Sequence, residues 1–166
     1  MIVDEVQTGF GRTGEWFDYQ RSRIKPDMVC MAKGIAGGFP MGAVAYHGMD
    51  FEKGQQGGTF NGGPLACSVA NTVIGIIEKE KLVKNAAKTG AYIMKNVPQE
   101  GIHGRGLIIG VGVDDAPKRA KQLIESGAIA IYSGKTMRVL PPLTVKKAEA
   151  DNIIRLIGEI RDERLY

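Results

Sequence analysis

The chain has 166 residues, 43% apolar and 24% charged, the balance of a globular protein and not of a disordered one. Its 22 basic and 18 acidic residues leave a formal net charge of +4, and the basic side chains are spread along the chain, so charge gives no footing for nucleic-acid binding. No apolar run approaches the roughly 18 residues of a membrane span and the N-terminus has no signal-peptide pattern; the reduced-thiol reading of Cys30 and Cys67 is that of a cytosolic protein.

Met1 to Val3 read as a short buried strand that ends on two acids, Asp4 and Glu5. The strand starts without a cap or turn before it, as if in the middle of a domain. "QTGFGRTGEW" is a glycine-punctuated loop. Lys25-Pro26-Asp27 marks a turn, after which "MVCMA" (28–32) reads as a second buried strand and "GAVAY" (42–46) as a third. Residues 53–63, "KGQQGGTFNGG", form an ordered loop or a linker. Cys30 and Cys67 sit in apolar runs and read as reduced core thiols.

Pro64 suits a first helical position, and Leu65, Val69, Val73 and Ile77 recur every four residues, which predicts a helix. A second helix is predicted from about Glu80 to Asn96, with Leu82, Val83, Ala86, Ile93 and Val97 on one side. Pro98 to Gly101 break the pattern, and the domain boundary is expected between about residues 85 and 100. Beyond it the pattern predicts a strand (106–113) and a helix (116–126) with Leu123 and Ile124 inward. Two short strands (128–132 and 137–140) follow. A closing helix comes last, capped by Thr144, with Ile153, Ile157 and Ile160 on its apolar stripe.

Two glycine patterns mislead. "SGKT" (133–136) resembles the end of a phosphate-binding loop, but Ile129 stands where the motif needs a glycine, and Pro141-Pro142 forbid the helix that should follow. "GRGLIIG" (104–110) precedes its strand instead of following one. Both read as tight turns. His47 and His103 lack metal-ligand spacing and read as surface residues, so no metal site is expected.

Three other residues converge. Asp4 ends a strand, so its carboxylate is expected at the carboxyl edge of a parallel sheet, where open α/β sheets bind ligands. Lys33 closes the next strand in a setting, "CMAKGIAGGFPMG", that reads as semi-buried. Such a lysine is costly unless paired, neutral or covalently used. Thr59 precedes a helix N-terminus, where N–H groups and a hydroxyl favour phosphate. A carboxylate, an amine and a phosphate site at one edge suit pyridoxal 5'-phosphate (PLP). The lysine takes the Schiff-base role and later moves the substrate proton, while the carboxylate keeps the ring nitrogen protonated.

"IVDEVQTGFGRTG", "MAKGIAGGFPMGA", "GGTFNGGPLA" and "MRVLPPLTV" resemble, in that order, signature segments of the class III (ornithine/acetylornithine-type) aminotransferases. The resemblance implies an α/β fold, PLP-dependent transferase fold type I, incomplete. Residues 1–95 would be the C-terminal part of the PLP-binding large domain, and 96–166 a small C-terminal α/β domain. It implies that Asp4 pairs with the pyridine nitrogen, Gln7 contacts the phenolic oxygen and Lys33 is the Schiff-base lysine. Thr59 would donate to the cofactor phosphate of the neighbouring subunit in a homodimer, and Arg138 would clamp the substrate carboxylate. Gly58, on the substrate-facing loop, stands where the family usually has Ser or a similar polar residue. Asn61 lies two positions earlier than the family's asparagine.

The implied activity moves the terminal amino group of an ornithine-like donor to 2-oxoglutarate, most like the acetylornithine-type enzymes of arginine and lysine biosynthesis. Ornithine and 4-aminobutyrate aminotransferases share nearly the same motifs, and a non-catalytic remnant that binds a partner is the reading from another class. The family's segments ahead of the aspartate strand are missing. The chain is therefore expected to be a fragment, inactive in isolation.

Overall fold

The computed structural model describes residues 1–98 and 101–160. The chain divides into two compact units, Met1–Val83 and Lys84–Tyr166. The division falls within the first turn of a helix, Leu82–Asn96 (α2).

The first unit holds a three-stranded sheet: β1 (Ile2–Asp4), β2 (Met28–Met31) and β3 (Ala43–Tyr46), in that order. β1 and β2 are parallel, with Asp4 opposite Cys30. β3 returns antiparallel, Ala43 opposite Met31. The link between them, residues 32–42, carries only a 3-10 turn, Lys33–Ala36, and is too short for the crossover that a parallel return requires. The strands are less covered than the sequence predicts. Val29 is buried, whereas Ile2, Val44 and Tyr46 are exposed. Near-continuous apolar strands are built to be covered on both faces. Here the first helix, α1 (Pro64–Lys79), packs on the 3-10 turn: a Cβ at Gly37 would lie 3.2 Å from Val73. Pro64 does open α1, and Ala70 and Ile77 are its buried residues. Cys30 and Cys67 are free and half-buried, not core thiols.

The second unit has a four-stranded antiparallel sheet in the order β4-β5-β7-β6: β4 (Ile102–Arg105), β5 (Ile108–Gly112), β6 (Ile131–Ser133) and β7 (Thr136–Val139). The predicted strand 106–113 is half of a hairpin. Arg105 pairs with Ile108, and Gly106 turns the chain at φ +50°. "SGKT" is likewise a hairpin turn, Ser133 opposite Thr136 with Gly134 at φ +56°. The Pro98–Gly101 break is described only at its two ends, Gln99 and Glu100 lying outside the described residues.

Helices α2, α3 (Ala116–Glu125) and α4 (Lys147–Glu159) complete the unit. The core gathers Ala86 and Ile93 of α2 and Val97 just past its end with Leu107, Ile109, Val111, Met137 and Ile157. Two details differ from expectation. Ile124 is exposed, because α3 buries the stripe Ala116, Arg119, Ala120 and Leu123. Thr144 is not the cap of α4: Val145 is buried, and the cap falls two residues later, at extended Lys146, whose N–H donates to the Glu149 carboxylate at 2.7 Å. Gly90 of α2 lies against the β4–β5 turn so closely that a Cβ would sit 1.8 Å from the Gly106 carbonyl oxygen. No described helix is long and apolar enough to cross a membrane.

Candidate functional site

Parallel pairing of β1 and β2 puts their carboxyl ends at one edge, and the chemistry-bearing residues of the first unit follow directly from those two ends. Asp4 is exposed, and its Oδ1 accepts the Val6 N–H at 2.9 Å. That turn orients the carboxylate and leads straight to half-buried Gln7. The Asp4–Glu5 pair is not a pair of equals. Strand alternation sends neighbouring side chains to opposite faces, and Glu5 is 1% exposed where Asp4 is open to solvent.

Lys33 opens the 3-10 turn just beyond β2 at φ +39°. A non-glycine residue in the left-handed region costs on the order of 1 kcal/mol or more and persists only where its surroundings impose it. Here they do. Ile35 and Ala36 are buried, the Ile35 N–H bonds to the Ala32 carbonyl at 3.0 Å, and a Cβ at Gly34 would touch Phe10 at 3.2 Å. The lysine itself is exposed, which corrects the semi-buried expectation. The apolar letters around it turn inward and leave the amine on the open edge. In the glycine-rich loop that follows β1, Arg12 is covered enough that burial pushes its guanidinium pKa down.

Thr59 lies in the exposed stretch leading to α1. The Asn61 N–H bonds to the Gly58 carbonyl at 3.0 Å, which puts Thr59 and 93%-exposed Phe60 at the tip of a turn. No hydrogen bond joins Thr59 to Asp4, Gln7 or Lys33 among the described residues. The Asn61 carboxamide folds over Gly58, its oxygen 2.8 Å from where a Cβ at 58 would stand. A side chain at 58 would need the exposed Asn61 carboxamide to swing aside, so the two departures in this loop, Gly58 and Asn61, are in contact. Beside the turn opens a cavity of about 570 Å³ lined by Cys30, Met31, Gly42, Val44, Phe60 and Asn61, among others.

In the second unit, Arg138 sits on β7 opposite Gly110 and Ile131. It is half-buried and has no acidic partner among the described residues. Among the described residues it is the one charged residue lining a cavity of about 390 Å³ whose walls include Leu123, Ile131, Pro141, Leu156 and Ile157. An unpaired guanidinium in an apolar wall is suited to a carboxylate. Glu5, which sequence reading passed over as half of a strand-end pair, is the residue that ties this site's loop together; the signal available was its alternation with Asp4.

The sequence model of the family described as "Aminotransferase class-III" matches residues 1–160. Acetylornithine aminotransferase of Methanosarcina acetivorans is 40% identical over 168 residues, spanning 96% of this chain and 42% of that protein. The acetylornithine aminotransferase of Archaeoglobus fulgidus is 41% identical over 163 residues, 95% of this chain and 44% of that protein. Among solved structures, the ornithine aminotransferase of Toxoplasma gondii superposes with a TM-score of 0.88 at 30% identity, covering 96% of this chain and 42% of that one. The chain thus spans less than half the length of the relatives it matches.

Proposed function

The chain belongs to the class-III aminotransferase family, and from that premise we propose that it is the cofactor-holding C-terminal part of an enzyme that moves the terminal amino group of an ornithine-like donor to 2-oxoglutarate. The family is PLP-dependent, and the fold is that of its α/β members, transferase fold type I, over the part the chain covers. In this reading residues 1–95 belong to the large domain and 96–166 to the small one.

One observation carries the reading. An acid, Asp4, and an amine, Lys33, stand at the carboxyl ends of two adjacent parallel strands, and the lysine's backbone is held in a left-handed conformation. The donor set fits PLP: an acceptor for a protonated ring nitrogen, an amine for an aldehyde, a hydroxyl for a phosphate. When bound, PLP supplies an electron-accepting ring and a carbon that receives the amino group. Asp4 holds the proton on the ring nitrogen through a charge-assisted hydrogen bond. Gln7 donates to the phenolic oxygen. The Lys33 amine moves the proton at the substrate's reacting carbon. Thr59 reaches the phosphate held by the other subunit of a homodimer, which agrees with its place on an exposed turn. Gly58 leaves the substrate-facing side of that turn without a side chain, and Arg138 grips the substrate carboxylate.

The acetylated donor is favoured by the names of the relatives near 40% identity, both acetylornithine aminotransferases. The enzyme acts in the cytoplasm. The 166 residues alone, less than half the length of those relatives, are not expected to transaminate. The test is a chimera in which residues 1–160 replace the corresponding part of the Methanosarcina acetivorans enzyme. It should transfer the amino group of acetylornithine to 2-oxoglutarate, and Lys33→Ala should abolish the transfer. Undiminished turnover in Lys33→Ala would refute the reading.

A further inference from the structure

A buried carboxylate is costly unless its lone pairs are taken, and those of Glu5 are taken from both ends of one loop. Its Oε2 accepts from the Thr8 hydroxyl, and its Oε1 accepts the Tyr19 N–H at 2.8 Å. Its backbone is equally engaged. The Glu5 N–H donates to the Cys30 carbonyl on β2 at 2.9 Å, and its carbonyl accepts the Gly9 N–H at 3.0 Å. Gly9 has no room for a side chain, since a Cβ would lie 2.9 Å from the Glu5 oxygen and 3.3 Å from the Phe17 ring. Phe10, next in the chain, packs edge-to-face on Phe17 with ring centroids 5.4 Å apart and touches the Gly34 position beside Lys33. The Glu5 carbonyl and carboxylate therefore close a turn, residues 5–9, that directly follows Asp4 and contains Gln7, and Phe10 just beyond it joins the turn to the wall on which the lysine's turn rests.

We propose that Glu5 is a positioning residue: by holding Thr8 and Tyr19, its buried carboxylate fixes the turn that presents Asp4 and Gln7 to the cofactor ring. The inference rests on the assignment of those two residues to PLP. Misplacement by about 1 Å costs on the order of a hundredfold in rate, so a loosened turn is felt in chemistry before it is felt in folding.

The test uses the chimera loaded with PLP, with the visible absorption band of the bound cofactor read per mole bound, beside kcat, KM and thermal midpoint. Glu5→Ala and Thr8→Val should move the band in the direction that Gln7→Ala moves it. They should lower kcat by about 10-fold to 100-fold and leave KM for 2-oxoglutarate within about twofold. Glu5→Gln, which keeps an acceptor for the Tyr19 N–H, should recover most of the band position. A purely structural Glu5 would lower the thermal midpoint and cofactor content while leaving the band and kcat per bound PLP unchanged. That result, with Gln7→Ala shifting the band, overturns the proposal. If Glu5→Ala fails to fold, Thr8→Val decides alone, and an unmoved band in it is the overturning result. If neither Asp4→Asn nor Gln7→Ala disturbs the band, the assignment of the site falls instead, and the positioning role falls with it.

Discussion

The two units hold their sheets in opposite ways. In the second, Ile109, Val111 and Met137 on adjacent strands are fully buried against Ile93 and Ile157 of the helices. In the first, Val29 is the buried residue of three strands, and apolar side chains such as Ile2 and Val44 face solvent. Yet the first unit carries the acid, the amine and the strained backbone. Local order there comes from a loop closed by Glu5 and from a 3-10 turn wedged between Phe10 and Val73, not from a covered sheet. Apolar strands of the kind built to be covered on both faces carry the site in the first unit, while the second closes a core of its own.

The widest separation should appear in core truncations. Ile109→Ala in the 166-residue chain should destabilise the second unit by about 2–5 kcal/mol, while Val44→Ala on β3 should change stability by no more than about 0.5 kcal/mol. Denaturant titration of both variants measures the contrast, and equal losses would break it. Asp4→Asn should do the reverse: in the chimera it should slow transamination by at least about a hundredfold with an unchanged denaturation midpoint.

A smaller effect is expected at Gly90, where any side chain must displace the backbone of the β4–β5 turn. Gly90→Ala should cost about 1–3 kcal/mol, the range of overpacking, visible as a lower thermal midpoint of the second unit. The smallest lies on the surface. Hydrogen bonds from Lys147 and then Tyr92, both at Asp151, hold that carboxyl below its usual 3.8, and the bonds Lys147 donates to Asp151 and then to the Tyr92 hydroxyl raise that amine above 10.5. A lowered acid contributes stability that is present above about pH 3.8 and is lost as pH falls through the lowered folded value. The raised lysine contributes below about 10.5 and loses it as pH rises through the folded value. Asp151→Asn should flatten the acid limb of the second unit's stability profile, slightly and less so at high salt.

What could be read beforehand was local. Pro64 and the four-residue spacing after it gave α1, because a fixed φ and a missing N–H suit a first turn. Asp4 and Lys33 could be put at one edge because both end apolar runs, and parallel pairing does the rest. What could not be read depends on distant partners. "GRGLIIGVGV" hides a hairpin, since glycine and small apolar residues serve turn and strand alike, and only pairing with β7 fixes the register. The exposure of Lys33 follows from which layers cover the sheet, which its neighbours in sequence do not specify. Asp4 and Glu5 look alike as letters; the pleat alone separates an open carboxylate from a buried one.

The most direct measurement is where PLP becomes fixed. The chimera is incubated with PLP, reduced with borohydride, digested, and its peptides are mapped by mass spectrometry. The label should fall on the peptide containing Lys33, and it should vanish in Lys33→Ala while Lys53 and Lys25 remain unmodified in both. Reducible label carried at undiminished level by another lysine, with Lys33 unmodified, would contradict the assignment of this strand edge to the cofactor.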